Sequence, residues 1–296
     1  MALEFPALWI EVSPPRGIVT APMLERLGDL RGLVSAINLT DNALTLVKMS
    51  ALVFAGMIKQ QLGMPVVLNM TCRDRNLLAL KADLLGAAAL GVDAVVALSG
   101  DKRSAGDKFH GVHEVDGAGL LGVIEALNRG GTGDGKAPLR RAPDLLAGAV
   151  VNPNRTNWER EFELLERKVA AGARFAITQP VFDPERAVGF LDAVRGLPLR
   201  IVMGILPIKG AAMARYLKER IRDLSGARAY LDSYASMSDE QARNLSLRRN
   251  LELMAELRGR VAGFNIMSGG GPSLAIELAR RFSHELAGGA DRPIAG

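Results

Sequence analysis

The sequence predicts a single (β/α)₈ domain over residues 1–296, a TIM-type α/β barrel with a long helix inserted before the eighth strand. Eight short apolar runs recur along the chain, a helical pattern follows each of them, and glycines stand where the helices must stop. The strands are expected at 8–13, 36–40, 65–71, 94–100, 146–153, 175–182, 200–207 and 261–267. Most are continuous apolar runs, as parallel strands covered on both faces require.

The first strand is followed by a helix over 21–30, the second by 48–62 and the third by 75–90. Apolar residues in these helices recur at three- and four-residue spacing. The later helices are expected over 119–128, 158–171, 184–195, 211–221 and 272–286. Gly63, Gly91, Gly172 and Gly196 mark helix ends, where the left-handed conformation closes the last turn. Segments 102–116 and 129–144, rich in Gly, Pro and charge, are expected to be loops beside the fourth unit. The amphipathic helix over 236–258 packs on the barrel in the plainer reading; in the sharper one it contacts a second copy or a partner subunit. An open doubly wound sheet is the competing architecture.

Composition narrows the function classes. Apolar residues make up 48% of the chain and charged residues 23%, which suits a globular enzyme and not a disordered chain. The net charge of +5 is scattered over helix faces without interleaved aromatics, so nucleic acid is not an expected partner. One cysteine forbids an internal disulfide, and it and the three histidines are too dispersed to form a metal site. No basic leader precedes the first strand and no apolar run reaches bilayer length, so a cytoplasmic protein without membrane contact is expected.

In a barrel of this type the chemistry collects at the carboxyl ends of the strands. Those ends carry Glu11, Thr40, Asn69 with Thr71, Ser99 with Asp101, Asn152 with Asn154, Thr178 with Gln179, and Asn265 with Ser268; only the seventh lacks a polar group. Glu11 is an acidic residue inside an apolar strand, followed by Pro14-Pro15. Burial raises a carboxyl pKa, as a general acid requires, while a salt bridge to a nearby cation is the alternative. Asp101 follows a strand and a glycine that lets a ligand approach the backbone. Gln179 suits the edge of a heterocycle, or else caps a loop. The run Ser268-Gly-Gly-Gly-Pro-Ser273 either receives an anion or only reverses the chain.

Taken in order, several segments resemble methylenetetrahydrofolate reductases. They are Ile10-Glu11 with Pro14-Pro15, Asn38-Leu-Thr-Asp-Asn42, Asn69-Met-Thr-Cys-Arg-Asp-Arg-Asn76, Ala97-Leu-Ser-Gly-Asp101, Ala149-Val-Val-Asn-Pro153, Arg167-Lys-Val-Ala-Ala-Gly-Ala173, Ile177-Thr-Gln179 and Gly204-Ile-Leu-Pro207. The Thr-Asp-Asn and Thr-Cys-Arg-Asp-Arg-Asn segments look closest to the forms of acetogenic and methylotrophic bacteria. The resemblance implies a FAD-dependent barrel that carries hydride from NADH or NADPH to 5,10-methylenetetrahydrofolate. It also implies that Glu11, Asp101 and Gln179 serve catalysis and bind the folate. Thr40, Asp41, Ala43, Asn69, Ser99, Gly100, Asp101, Asn152, Arg167 and Lys168 fall at positions whose family counterparts hold the flavin. Asn69, Ser99 and Asn152 stand where the enterobacterial pattern has His, Arg and Tyr. These changes keep open a direct hydride transfer without flavin; a non-catalytic folate- or flavin-binding subunit is a third reading.

Overall fold

The computed structural model describes residues 3–100, 110–220, 227–269 and 271–289. Eight parallel strands form it: β1 (Ala7–Val12), β2 (Ala36–Leu39), β3 (Val66–Thr71), β4 (Ala94–Leu98), β5 (Leu146–Val151), β6 (Phe175–Thr178), β7 (Arg200–Ile205) and β8 (Gly263–Met267). They pair in chain order, and β8 pairs with β1 to close the barrel, with Ile10 opposite Ile266 and Glu11 opposite Met267. That last pairing eliminates the doubly wound sheet, which has two open edges.

The helices are α1 (Ala21–Gly28), α2 (Ala51–Met57), α3 (Leu77–Ala89), α4 (Gly117–Asn128), α5 (Trp158–Ala170), α6 (Pro184–Val194), α7 (Ala211–Arg220), α8 (Arg228–Asp232), α9 (Asp239–Leu257) and α10 (Ser273–Gly289). Short polar side chains start many of them. The side chains of Ser50, Asn76, Asp116, Asn157 and Asp183 each accept from a backbone N–H in the first turn. The inserted helix α9 begins in a capping box made by Ser238 and Gln241. Its buried face, including Ala242, Leu247, Leu253, Met254 and Leu257, recurs at helical spacing, and α9 packs against α6 and α10. No helix among the described residues is long and apolar enough to cross a membrane.

Alternation along β1 sorts the side chains. Ile10 and Val12 join the layer between strands and helices, whereas Ala7 and Trp9 join Ala36, Val67, Val96, Phe175 and Val202 in a separate cluster inside the barrel. Trp9 and Phe175 are fully buried and meet edge to face at 5.6 Å. Their rings fit because Gly148 has no side chain; a Cβ there would overlap the Phe175 ring. Gly263 similarly lies against the Ala7 backbone and has φ of +136°, a conformation that L side chains rarely adopt. The same two-residue period directs Glu11 inward, one layer above the aromatic plug, at the carboxyl end of the barrel.

Several boundaries differ from the sequence reading. The strands expected to run to Pro153 and Phe182 end at Val151 and Thr178, because a strand at the barrel mouth loses its ladder partners and Pro153 and Pro180 lack the N–H to continue. Asn152 and Gln179 therefore sit on the first residues of loops. The helix expected from residue 119 begins two residues earlier, where Asp116 caps it. The short helix α8 was not anticipated, since five residues carry too little periodicity to register.

Candidate active site

A cavity of about 470 Å³ opens at the carboxyl end of the barrel. Its wall contains Glu11, Thr40, Asp41, Ala43, Asn69, Ser99, Gly100, Asn152, Arg167, Lys168 and Gln179, so each expected site residue within the described part of the chain lies on one cavity. Asp101 lies outside the described residues.

Glu11 is on the cavity floor. Its Oε2 accepts from Asn265 Nδ2 at 3.0 Å and from Asn38 Nδ2 at 3.4 Å. Burial pushes the carboxyl above the ordinary glutamate range, and the hydrogen bond from Asn265 opposes that rise only in part. Among the described residues Glu11 has no basic partner, so the salt-bridge alternative is not the arrangement found. Asn38 and Asn265 are fully buried and Asn69 nearly so. Asn69 was expected at the flavin, whereas Asn38 and Asn265 came into the sequence reading only as part of a motif and at a strand end. Counting by twos from Glu11 and matching it to Asn38 across the β1–β2 register exposes the cluster.

The neighbouring walls carry charge. Asp41 Oδ2 accepts from the Thr71 backbone N at 2.9 Å, from Thr71 Oγ1 at 3.0 Å and from Arg75 Nη1 at 2.7 Å, while Oδ1 accepts from Arg75 Nη2 at 3.2 Å. The buried aspartate thus binds the β2 loop to the end of β3. Arg75 was not among the expected site residues, and its pairing commits much of Asp41's accepting capacity within the protein. On the opposite wall, Lys168 Nζ donates to the Val150 carbonyl at 2.7 Å, and burial lowers its pKa. Glu161 accepts from the Asn152 backbone N at 2.8 Å and pairs with Arg155 at 3.2 Å. Ser99 Oγ accepts from the Gly117 N at 3.0 Å, joining β4 to the start of α4. The Gln179 side-chain amide has no hydrogen-bond partner among the described residues, although its backbone N donates to the Val151 carbonyl at 2.8 Å.

The glycine-rich segment after β8 contributes no wall to this cavity among the described residues; Met267 is the β8 residue that does. The Gly271 carbonyl instead accepts from Lys209 Nζ at 3.0 Å, and Gly269 and Gly271 have positive φ. Gly270 lies outside the described residues. No group of three or more His, Cys, Asp or Glu able to hold a metal ion occurs among the described residues.

With the geometry in place, the chain can be set beside known proteins. 5,10-Methylenetetrahydrofolate reductase of Salmonella typhimurium is 28% identical over 160 residues, covering 53% of this chain and 49% of that protein. The enzyme of the same name from Pectobacterium carotovorum is 28% identical over 153 residues, covering 51% and 46%. The match therefore spans about half the length of these curated relatives. Among solved structures, an uncharacterized protein from Clostridium thermocellum that binds two copies of 5-methyl-5,6,7,8-tetrahydrofolic acid aligns over 95% of this chain and 94% of its own, with a TM-score of 0.62 and 15% identity. A 2,3-dimethylmalate lyase aligns over 97% and 84%, with a TM-score of 0.51 and 12% identity. At such identities both show a shared fold alone. The model of the methylenetetrahydrofolate reductase family matches residues 4–268, nearly the whole barrel, and the chain belongs to that family.

Proposed function

We propose that this barrel reduces 5,10-methylenetetrahydrofolate to 5-methyltetrahydrofolate with hydride from NADH or NADPH, carried by FAD, and that Glu11 is the acid. One observation carries the reading: a carboxyl raised by burial, without a cationic partner, on the floor of a cavity that also exposes an uncommitted amide at Gln179. The raised pKa favours the protonated form that an acid must carry. It can therefore give its proton to a ring nitrogen as the five-membered ring of the folate opens to the 5-iminium cation. The Gln179 amide offers both a donor and an acceptor to the pterin edge. Asp101, by the family resemblance, is the carboxylate that stabilises the cation.

The donor set suits a flavin dinucleotide. Arg155, Arg167 and Lys168 line the wall formed by α5 and the loop before it, where a diphosphate needs cations. Thr40, Ala43, Ser99, Gly100 and Asn152 line the same cavity and would hold the flavin by polar and close backbone contacts, with Asp41 and Asn69 beside them. FAD, when bound, supplies an acceptor and donor of hydride between nicotinamide and folate. A second reading, direct transfer from nicotinamide to folate, has one observation in its favour. Asp41 is bonded to Arg75 and Thr71, and Asn69 donates to Asn38 and Leu39, so two expected flavin contacts are engaged within the protein.

Replacing Glu11→Gln tests the acid. Folate reduction should fall by about 10²- to 10⁴-fold while NAD(P)H still reduces the bound flavin. Equal loss of both half-reactions contradicts the assignment. The visible spectrum of the purified protein separates the two readings: folate reduction by a preparation that neither carries nor takes up flavin favours direct transfer.

A further inference from the structure

Glu11 belongs to a chain of side-chain hydrogen bonds whose direction follows from a single backbone carbonyl. Asn69 Nδ2 donates to the Leu39 carbonyl at 2.7 Å and to Asn38 Oδ1 at 2.8 Å. A backbone carbonyl can only accept, so the nitrogen of Asn69 must face it. Asn38 therefore turns its oxygen toward Asn69 and its nitrogen the other way, where Nδ2 donates to Asn265 Oδ1 at 3.1 Å and to Glu11 Oε2 at 3.4 Å. With its oxygen taken up by Asn38, Asn265 presents Nδ2 to Glu11 Oε2 at 3.0 Å. Each amide in the sequence has only one orientation that leaves no donor facing a donor. All three are buried, where such a mismatch is costly.

We propose that Asn69, Asn38 and Asn265 form a directional amide relay that confines the Glu11 proton to Oε1, the oxygen left for the cavity. Protonating Oε2 would set an O–H against two N–H donors. Oε1 has no hydrogen-bond partner among the described residues, so the transferable proton rests on the atom nearest incoming substrate. Asn69 acts through its neighbours and has no hydrogen bond to Glu11; it is a positioning residue at two removes. The proposal rests on the reading of Glu11 as the acid, but its content is the state of the carboxyl before substrate arrives. The charged groups sharing the cavity are Asp41, Asp116, Arg155, Glu161, Arg167 and Lys168; none has an ion pair or hydrogen bond to Glu11 among the described residues.

The experiment is a pH titration of the side-chain carboxyls by ¹³C NMR on glutamate-labelled protein without substrate, with the Glu11 signal identified by its loss in Glu11→Gln. In Asn265→Ala the Glu11 midpoint should rise by about one pH unit, the effect of losing a hydrogen bond to a charged acceptor. In Asn69→Ala it should rise in the same sense by a smaller amount, because Asn38 is released to turn its oxygen toward the acid. Asn38→Ser, which removes the amide joining Asn69 to Glu11 together with its own 3.4 Å bond to the carboxyl, is a second variant and should also raise the midpoint. A folded Asn69→Ala or Asn38→Ser protein whose Glu11 midpoint matches the parent overturns the relay. The readout needs no folate turnover, so failure of the reductase assignment leaves the titration result standing. Parent-like titration in a variant that still reduces folate overturns the relay alone.

Discussion

Arg75→Ala should be among the more damaging single changes outside the aromatic plug, and its cost can be worked from the rim. Arg75 makes two hydrogen bonds to Asp41 and one to Asp83, at 2.7, 3.2 and 2.8 Å. The Asp41 side chain is 1% exposed, that of Arg75 17% and that of Asp83 34%. The Asp83 contact is therefore largely solvent-compensated, and the loss is dominated by stranding Asp41. Breaking a buried pair from one side costs roughly 3–5 kcal/mol. The partial exposure of Arg75 and the two bonds that Asp41 keeps from Thr71 favour the lower end, about 3 kcal/mol. Urea denaturation of the parent, Arg75→Ala, Asp41→Asn and the double variant gives the coupling energy directly. Because an amide carries no stranded charge, Arg75→Ala should cost much less in the Asp41→Asn background than in the parent. Additive single effects, or a loss below about 1 kcal/mol in Arg75→Ala, would refute the claim that this pair holds the β2 rim.

Further outcomes follow from the floor of the cavity and the plug below it. The folded state raises the Glu11 pKa, so its contribution to stability is full below the unfolded glutamate range, near pH 4, and is lost as pH climbs through the raised value. Glu11→Gln should thus gain stability relative to the parent as pH rises, and parallel stability curves from acid to neutral pH would contradict the shift. Gln179→Ala should raise KM for folate by about tenfold, the equivalent of one or two neutral hydrogen bonds, without changing KM for the nicotinamide. An equal rise in both would place Gln179 elsewhere. In Gly148→Ala the new methyl meets the Phe175 ring, and overpacking should cost about 1–3 kcal/mol or more. Adding Phe175→Leu should recover part of that loss in a thermal melt, and no recovery would argue against the clash.

The barrel was legible because its signals are local: a strand, a helix and a stop recur, and each can be read within about a dozen residues. Glu11 was legible for a related reason, as a charge in an apolar run at the expected end of a strand. Its partners were harder to read. Asn38 lies 27 residues from Glu11 and Asn265 lies 254 residues away, and only the β1–β2 and β8–β1 registers bring them to the same carboxylate. Asp41 shows the same limit from the other side. Sequence places it at a strand end like any ligand-binding aspartate, while its pairing with Arg75, 34 residues on, depends on how the β2 and β3 loops meet. The strand ends were overextended for another physical reason: apolar residues continue past the last ladder bond because the loop after the strand itself packs into the core, as Val181 and Phe182 do.

Trp9 links the stability of the barrel to the acidity of its candidate acid. Its Nε1 is buried with no hydrogen-bond partner among the described residues, a defect worth roughly 1–3 kcal/mol that phenylalanine would not incur. Phenylalanine, however, would leave space beneath Glu11, between Phe5 and Phe175, which the indole now fills. A void there large enough for water would hydrate the carboxylate from below and weaken the desolvation that raises its pKa. The indole would thereby exclude water from the layer next to Glu11, while the asparagines hold one carboxyl oxygen in place. Burial and orientation come from different layers of the same barrel. The layer that supplies burial carries an unpaired donor of its own, a strain that packing for stability alone gives no reason to retain.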